Sequence, residues 1–180
     1  MTDHSQPRFQ RLGRYNQRAN REMFDILSGL TEPARRRDTG AWFGSLHGIL
    51  NHIIICDINW LKRFLALSPQ SPVLNDPVLD PPNLSWTRDL HDDFEALSRH
   101  RRQVDGLIIE WFAEFPAQRY AERFTYTDSS GAGKTASAEG AFEFLFLHQI
   151  HHRGQISQIL DSIGLSNNFA DNAAFLEQDG

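Results

Sequence analysis

The densest group of chemically active side chains lies near the C-terminus, where three of the eight histidines fall within five residues. They are His148, His151 and His152. Residues four apart on a helix project from one face, about one turn from each other, and His148 and His152 have this spacing. Two imidazoles placed in this way can chelate one metal ion.

The direction of these two imidazoles matters more than their spacing. At about 100° per residue, both lie in a stripe that is mostly apolar and is expected to face the interior. The stripe contains Ala141, Leu145, His148, His152, Gln155, Ile159 and Ile163. Because burying an unpartnered imidazole costs free energy, the pattern favours a shared cation. Hydrogen bonds from each histidine to a neighbouring helix are the alternative.

A two-histidine site needs a third ligand from another helix, and His52 is the candidate. It lies at the centre of the buried face of an earlier predicted helix. The same side of that helix carries Ser45, Ile49, Cys56, Asn59 and Arg63. His47 points about 140° away from His52, so the two are not expected to share a metal.

The other histidines are predicted to lie beside the site or at the surface. His151 lies about 60° from His148, at the edge of the stripe, where it can orient the site, meet a substrate or contact a neighbouring helix. Polar surroundings predict surface positions for His4, His91 and His100.

Three neutral imidazoles without a carboxylate suit Zn, Ni, Cu or Fe better than Mg or Ca, which prefer oxygen ligands. Three protein ligands also leave room for a water or a thiol, whose pKa the metal would lower.

Cys56 follows His52 by four residues and can reach the same space. A site of one cysteine and three histidines would be closed and structural; otherwise Cys56 is a small buried side chain.

Arg153, Gln155 and His151 are the candidate catalytic residues. Arg153 can hold an anionic group of a substrate, or it can form a salt bridge at the surface or between helices. Gln155 can form a hydrogen bond with a ligating imidazole or with a substrate.

Two other sequence patterns do not predict a function. Residues 131–135 resemble part of a phosphate loop, but Asp128 stands where that motif needs its first glycine, and the segment is predicted to lie in a hairpin. Asp57 and Asp161 lack the spacing of the carboxylate pair of a glycosidase.

The composition limits the function classes. The chain has 180 residues, of which 40% are hydrophobic, and a formal net charge of -5, so nucleic acid and anionic membranes are poor partners. Arg35, Arg36 and Arg37 are predicted to lie in a solvated loop. One cysteine, no apolar run of signal-peptide type and no stretch of about 20 apolar residues predict a cytoplasmic protein without a membrane span.

Helical periodicity covers four segments, approximately residues 7–30, 44–67, 86–115 and 138–163. Ser45 and Ser85 are the expected N-caps of the second and third helices, and Gly164 is the expected C-cap of the fourth. The intervening chain holds a proline-rich crossover at 68–83 and a hairpin at 119–137. Phe169 and Phe175 are expected to pack onto the body. The fold class is all-α, with one domain over residues 1–180.

Several of these residues together resemble the DinB/YfiT-like family. They are Tyr15-Asn16 and Ala19-Asn20, Gly44-Ser45, Leu50-Asn51-His52, Asp57 and Trp60, and residues 148–155 with the sequence His-Gln-Ile-His-His-Arg-Gly-Gln. The resemblance implies an up-down-down-up four-helix bundle that holds one divalent metal by His52, His148 and His152. Zn or Ni is the leading metal, and Fe, Mn or Cu are alternatives.

The resemblance also implies a function. Some members are metal-dependent transferases that activate a low-molecular-weight thiol, and members are often homodimers. We therefore expect a thiol-dependent S-transferase or a hydrolase that acts on a small molecule, and not on nucleic acid or membrane. The alternative is a non-enzymatic metal-binding module of the stress response.

Overall fold

The computed structural model describes residues 5–80, 85 and 89–169. Most residues in these ranges are helical, and two short strands form an antiparallel pair. The helices are α1 (Ser5–Ser28), α2 (Glu32–Arg36), α3 (Leu46–Arg63), α4 (Phe94–Glu114) and α5 (Ala138–Ser162), and the strands are β1 (Arg123–Thr127) and β2 (Gly133–Ser137). The predicted mostly helical chain with a small hairpin is confirmed.

The four long helices share one apolar core. α1 and α3 each pack against both α4 and α5. At one end of the core the ring of Phe142 meets Phe9, Phe64, Phe112 and Phe115 edge to face, with centroids 4.9–5.6 Å apart. Edge-to-face contacts are a favoured arrangement of aromatic rings, and this cluster fixes α5 against the other three long helices.

The ends of α3 and α5 follow the predicted capping residues. The Ser45 hydroxyl accepts a hydrogen bond from the backbone N–H of Gly48 at 3.1 Å, which satisfies one of the free donors of the first turn. Gly164 adopts a φ of 76° immediately after the last turn of α5, a conformation that glycine favours. Both predicted caps are therefore confirmed.

The predicted start of the third long helix was wrong. α4 begins at Phe94, and its N-cap is Asp93, whose carboxylate accepts from the N–H of Ala96 at 2.7 Å. Ser85 therefore does not cap this helix. Residues 86–88, where the helix was predicted to begin, lie outside the described residues.

A tertiary contact explains this difference. The side-chain oxygen of Asn51 on α3 accepts hydrogen bonds from the N–H groups of Leu90 and His91, at 2.7 and 3.0 Å. These bonds hold the segment before α4 against α3 as irregular chain, so its helical propensity is overridden.

The arginine-rich segment was predicted as a solvated loop, and this was also wrong. Thr31 caps the short helix α2, and Pro33 occupies its first turn, where a missing N–H costs nothing. Arg35 is half-buried over the ring of Phe94, 4.2 Å from its centroid. Arg36 donates to the backbone oxygen of Asp92 at 2.5 Å.

The crossover has little regular structure in its described part, residues 68–80, apart from a 3₁₀ turn at Pro77–Leu79. Residues 81–83 lie outside the described residues. Leu74 and Leu79 are fully buried, so the crossover covers the side of α3 and α4.

The hairpin is shorter than the predicted 119–137, because Ala117–Arg119 forms a 3₁₀ turn and β1 begins at Arg123. Its connecting turn is closed by Asp128, whose carboxylate accepts from the N–H groups of Ser130 and Ala132. Phe169 is buried as expected, and Phe175 lies outside the described residues. Among the described helices, none is both long and apolar enough to cross a membrane.

Candidate metal centre

Three imidazoles from two helices meet between α3 and α5. The Nε2 atom of His148 lies 3.1 Å from Nε2 of His52 and 3.1 Å from Nε2 of His152. The three ring centroids are separated by 4.4–5.1 Å. Helical spacing thus brings His148 and His152 together, and the packing of α3 against α5 adds His52.

Cys56 lies in the same cluster. Its sulfur is 3.6 Å from Nε2 of His52, one helical turn away on α3. The donor atoms of His52, Cys56 and His148 all lie within 4.8 Å of one another, so this cluster can hold a metal ion.

Two of the imidazole pairs, His52–His148 and His148–His152, have nitrogen separations close to those of metal ligands. In a tetrahedral site with metal–nitrogen distances of about 2.0–2.1 Å, two nitrogens lie roughly 3.3 Å apart, close to the 3.1 Å found here. The side-chain oxygen of Gln155 lies 2.7 Å from Nδ1 of His152. Because an amide oxygen only accepts, Nδ1 carries the hydrogen and the lone pair of Nε2 points towards His148.

The electrostatics favour neutral imidazoles. Burial lowers the pKa of His148 to about 3, with further contributions from His152, His52 and His151. Burial also lowers the pKa of His152. A neutral imidazole is the form that binds a metal, so these histidines are in the ligating form at neutral pH.

The Cys56 thiol behaves differently. Burial first, and then the nearby charge of Asp57, raise its pKa to about 12. Cysteine binds metals as the thiolate, so this side chain must lose a strongly held proton before it can serve as a ligand.

An aromatic residue that sequence reasoning missed covers one side of the imidazoles. Phe43 stacks on His52 with centroids 3.8 Å apart and meets the edge of His152 at 5.6 Å. The backbone of Phe43 lies so close to α3 that a Cβ at position 48 would be 2.2 Å from its carbonyl oxygen. Gly48 is therefore required for this approach.

A cavity of about 300 Å³ lies beside His148. Cys56, Asn59 and Arg63, which the helical pattern placed on the His52 face, line one wall. The remaining lining residues are Trp60, Tyr126, Asp128, Ser129, Phe144 and His148. The hairpin residues were missed because sequence spacing does not show where a hairpin folds back.

The predicted interior stripe on α5 is correct in part, because Ala141, Leu145 and His152 are buried, whereas Gln155 and Ile159 are half-buried. His148 is half-buried and Ile163 is exposed. The deepest face instead carries polar side chains as well as apolar ones, including Gln149 and Arg153. This offset leaves His148 open to the cavity.

Arg153 does not line the cavity that His148 faces. It is buried on the side of α5 that faces α1, where its Nη1 atom donates to the side-chain oxygens of Asn16 at 2.5 Å and Asn20 at 3.2 Å. These are interhelix hydrogen bonds to neutral amides, whereas the predicted alternative was a salt bridge. His151 is exposed, with its ring 4.9 Å from that of His152.

The buried polar network around Arg153 was also missed. Arg101 donates to Asp57 at 2.5 Å and lies 2.9 Å from Asp105, and all three side chains are buried. Burial raises the pKa of Asp57 to about 6 although Arg101 opposes the shift. The available signal was the repeated spacing of four between polar residues on apolar faces: Asn16 and Asn20, Arg101 and Asp105, Gln149 and Arg153.

The remaining histidines stand apart from the cluster. Nε2 of His47 lies 2.8 Å from the backbone oxygen of His91, consistent with the predicted separation from His52. His91 and His100 were predicted at the surface, and this was wrong: both are half-buried, with ring nitrogens 2.9 Å apart. Tertiary packing of the crossover against α4 encloses them. His4 lies outside the described residues.

Comparison with known proteins adds one relationship. The family model described as DinB family matches residues 1–179. Neither the curated proteins nor the solved structures gave a match. Because the match spans nearly the whole chain, including both helices that bring the imidazoles together, the chain belongs to the DinB family.

Proposed function

We propose that this chain is a metal-dependent enzyme, a thiol-dependent S-transferase or a hydrolase, with one divalent ion held by His52, His148 and His152. The observation that carries the proposal is that Nε2 of His148 lies 3.1 Å from Nε2 of both His52 and His152, beside a cavity of about 300 Å³. A bound transition metal supplies Lewis acidity there, which lowers the pKa of a coordinated water or thiol.

The choice of His152 over Cys56 as the third ligand rests on the position and protonation of the imidazole and on the family. His152 already presents a neutral nitrogen, oriented by Gln155. Cys56 holds its proton with a pKa raised to about 12. Nε2 of His152 also lies 3.1 Å from Nε2 of His148, and the family resemblance implies the three-histidine set, so we favour His152 as the third ligand.

The residues around the three imidazoles have separate roles. Gln155 fixes the tautomer and orientation of His152. Phe43 stacks on His52 and excludes water from that side. Phe144 stacks on His148 at 5.9 Å and lines the cavity. Substrate would therefore enter from the hairpin side.

A non-enzymatic metal module is the second candidate. The observation that favours it is that the imidazoles come from α3 and α5, so that a bound ion would link two long helices. In that case no small ligand would need to reach the ion.

Other parts of the proposal follow from the family. The four long helices would run up-down-down-up, and the chain would form a cytoplasmic homodimer. The metal would be Zn or Ni, with Fe, Mn or Cu as alternatives, and the substrate a small molecule such as a low-molecular-weight thiol.

A cobalt-substituted sample tests the enzyme against the module. We expect the visible spectrum to shift when imidazole, cyanide or a small thiol is added, because an open position accepts the ligand. A spectrum that stays unchanged at saturating ligand would contradict an enzymatic site and favour the module. The Cys56→Ser variant serves as the control and should show the same shift.

A further inference from the structure

Arg63 is an unusual member of the cavity wall. Its guanidinium carbon lies 4.7 Å from the ring centroid of Trp60 and 5.2 Å from that of Tyr126. Among the residues that the structure describes, none forms a hydrogen bond or ion pair with the guanidinium group of Arg63. The side chain is half-buried, and burial lowers its pKa, yet a guanidinium stays charged at neutral pH.

The stacking explains the position of this charge. Trp60 lies three residues before Arg63 on α3, and Tyr126 comes from β1, so the two rings hold the guanidinium between the helix and the hairpin. Cation–π contact of this kind fixes the plane of the group. A planar guanidinium held in this way can bind a carboxylate with two parallel hydrogen bonds.

The rest of the wall defines the other part of a ligand. The rings of Trp60, Tyr126 and Phe144 provide apolar surface, with Trp60 5.2 Å from Tyr126 and 5.3 Å from Phe144 between centroids. His148 lies on the same wall. A ligand in this cavity would thus meet aromatic surface, the positive charge of Arg63, the negative charge of Asp128 and the edge of the imidazole cluster.

We propose that this cavity takes a small molecule with a planar apolar part and one carboxylate, and that Arg63 binds the carboxylate. This inference deepens the proposed function, because it names the substrate class of the same site. A single guanidinium balances one negative charge. Asp128, which also lines the cavity, adds a negative charge that opposes a phosphate dianion more strongly than a single carboxylate.

Binding of benzoate to metal-free protein tests this proposal by NMR. We expect benzoate to shift the Nε–H signal of Arg63 and the indole N–H signal of Trp60. Benzamide, which has nearly the same shape without the charge, and phenyl phosphate should each bind about tenfold more weakly. Arg63→Gln should weaken benzoate binding about tenfold, as expected for lost charge-assisted hydrogen bonds.

Arg123→Gln is the matched control, because Arg123 is an exposed arginine of the same hairpin and does not line the cavity. It should leave benzoate affinity within about twofold, and circular dichroism should show both variants folded. Equal binding of benzoate and benzamide, tighter binding of phenyl phosphate, an unaffected Arg63→Gln variant or no saturable benzoate binding would each overturn the proposal. Since no metal is present, these results stand apart from any failure of metal binding.

Discussion

At the scale of single residues, the candidate centre depends on imidazoles that stay uncharged. Burial and mutual proximity lower the pKa of His148 to about 3, and Gln155 orients His152. Without a bound ion, these uncharged nitrogens lie close together, and this arrangement favours the binding of a cation.

Substitution of His148 tests its role as a ligand. We expect His148→Ala to lower metal affinity at least tenfold, because it removes the nitrogen that lies between the other two. The fold should remain, since hydrophobic packing supplies most of the stability. Elemental analysis with circular dichroism measures both effects. His151→Ala is the control and should retain metal; stoichiometric metal in His148→Ala would exclude His148 from the ligand set.

The lowered pKa of His148 also predicts a pH dependence of the metal-free protein. The unfolded chain takes up a proton near pH 6.5, whereas folded His148 does so only near pH 3. The unfolded state therefore binds more protons between these values, so stability from this group is fully present above pH 6.5 and is lost as the pH falls towards 3.

Urea unfolding at pH 7.5 and pH 5 measures this effect. The wild type should lose more unfolding free energy on acidification than His148→Gln, because the variant lacks the group whose pKa burial lowers. Identical losses in the two proteins would show that His148 is not held neutral by its surroundings.

At the scale of elements, the loop before α3 positions the aromatic cover of the site. Gly48→Ala would place a methyl group 2.2 Å from the carbonyl oxygen of Phe43. We expect this to displace Phe43 from His52, to cost about 1–3 kcal/mol of stability and to weaken metal binding.

Gly106→Ala is the matched control, because a Cβ there meets nothing within 4 Å. It should raise the thermal midpoint slightly, since alanine is the better helix former. If Gly48→Ala matched this control in midpoint and metal affinity, the close approach of Phe43 would not matter.

The helices and loops also show which parts of the structure can be predicted from the sequence. Helical periodicity was sufficient to place His148 and His152 on one face and Cys56, Asn59 and Arg63 on the face of His52. It could not show that Asn51 holds the chain ahead of α4, because that contact joins residues about 40 apart. Phe43 was missed for a similar reason, since its position depends on how a loop folds over α3.

At the scale of the whole molecule, α5 leaves apolar side chains on its outer face. Leu147 is 63% exposed and Ile150 is 40% exposed. Exposed apolar side chains grouped on one helix are typical of a contact surface, which agrees with the homodimer proposed from the family.

Leu147→Glu tests this surface by light scattering coupled to size exclusion. The proposed dimer predicts that the wild type is dimeric and the variant monomeric at the same concentration, because burying a carboxylate against apolar surface is costly. Gln158→Glu, on an exposed position of the same helix, should remain a dimer. A dimeric Leu147→Glu variant would place the interface elsewhere.

X-ray absorption at the metal edge of protein purified without an affinity tag or added metal tests the central claim most directly. A three-histidine centre predicts a stoichiometric ion with nitrogen or oxygen neighbours at about 2.0–2.1 Å and no sulfur. It further predicts one sulfur neighbour at about 2.3 Å after a small thiol is added. Sulfur in the resting protein, a shell that the thiol leaves unchanged, or no stoichiometric metal would contradict it.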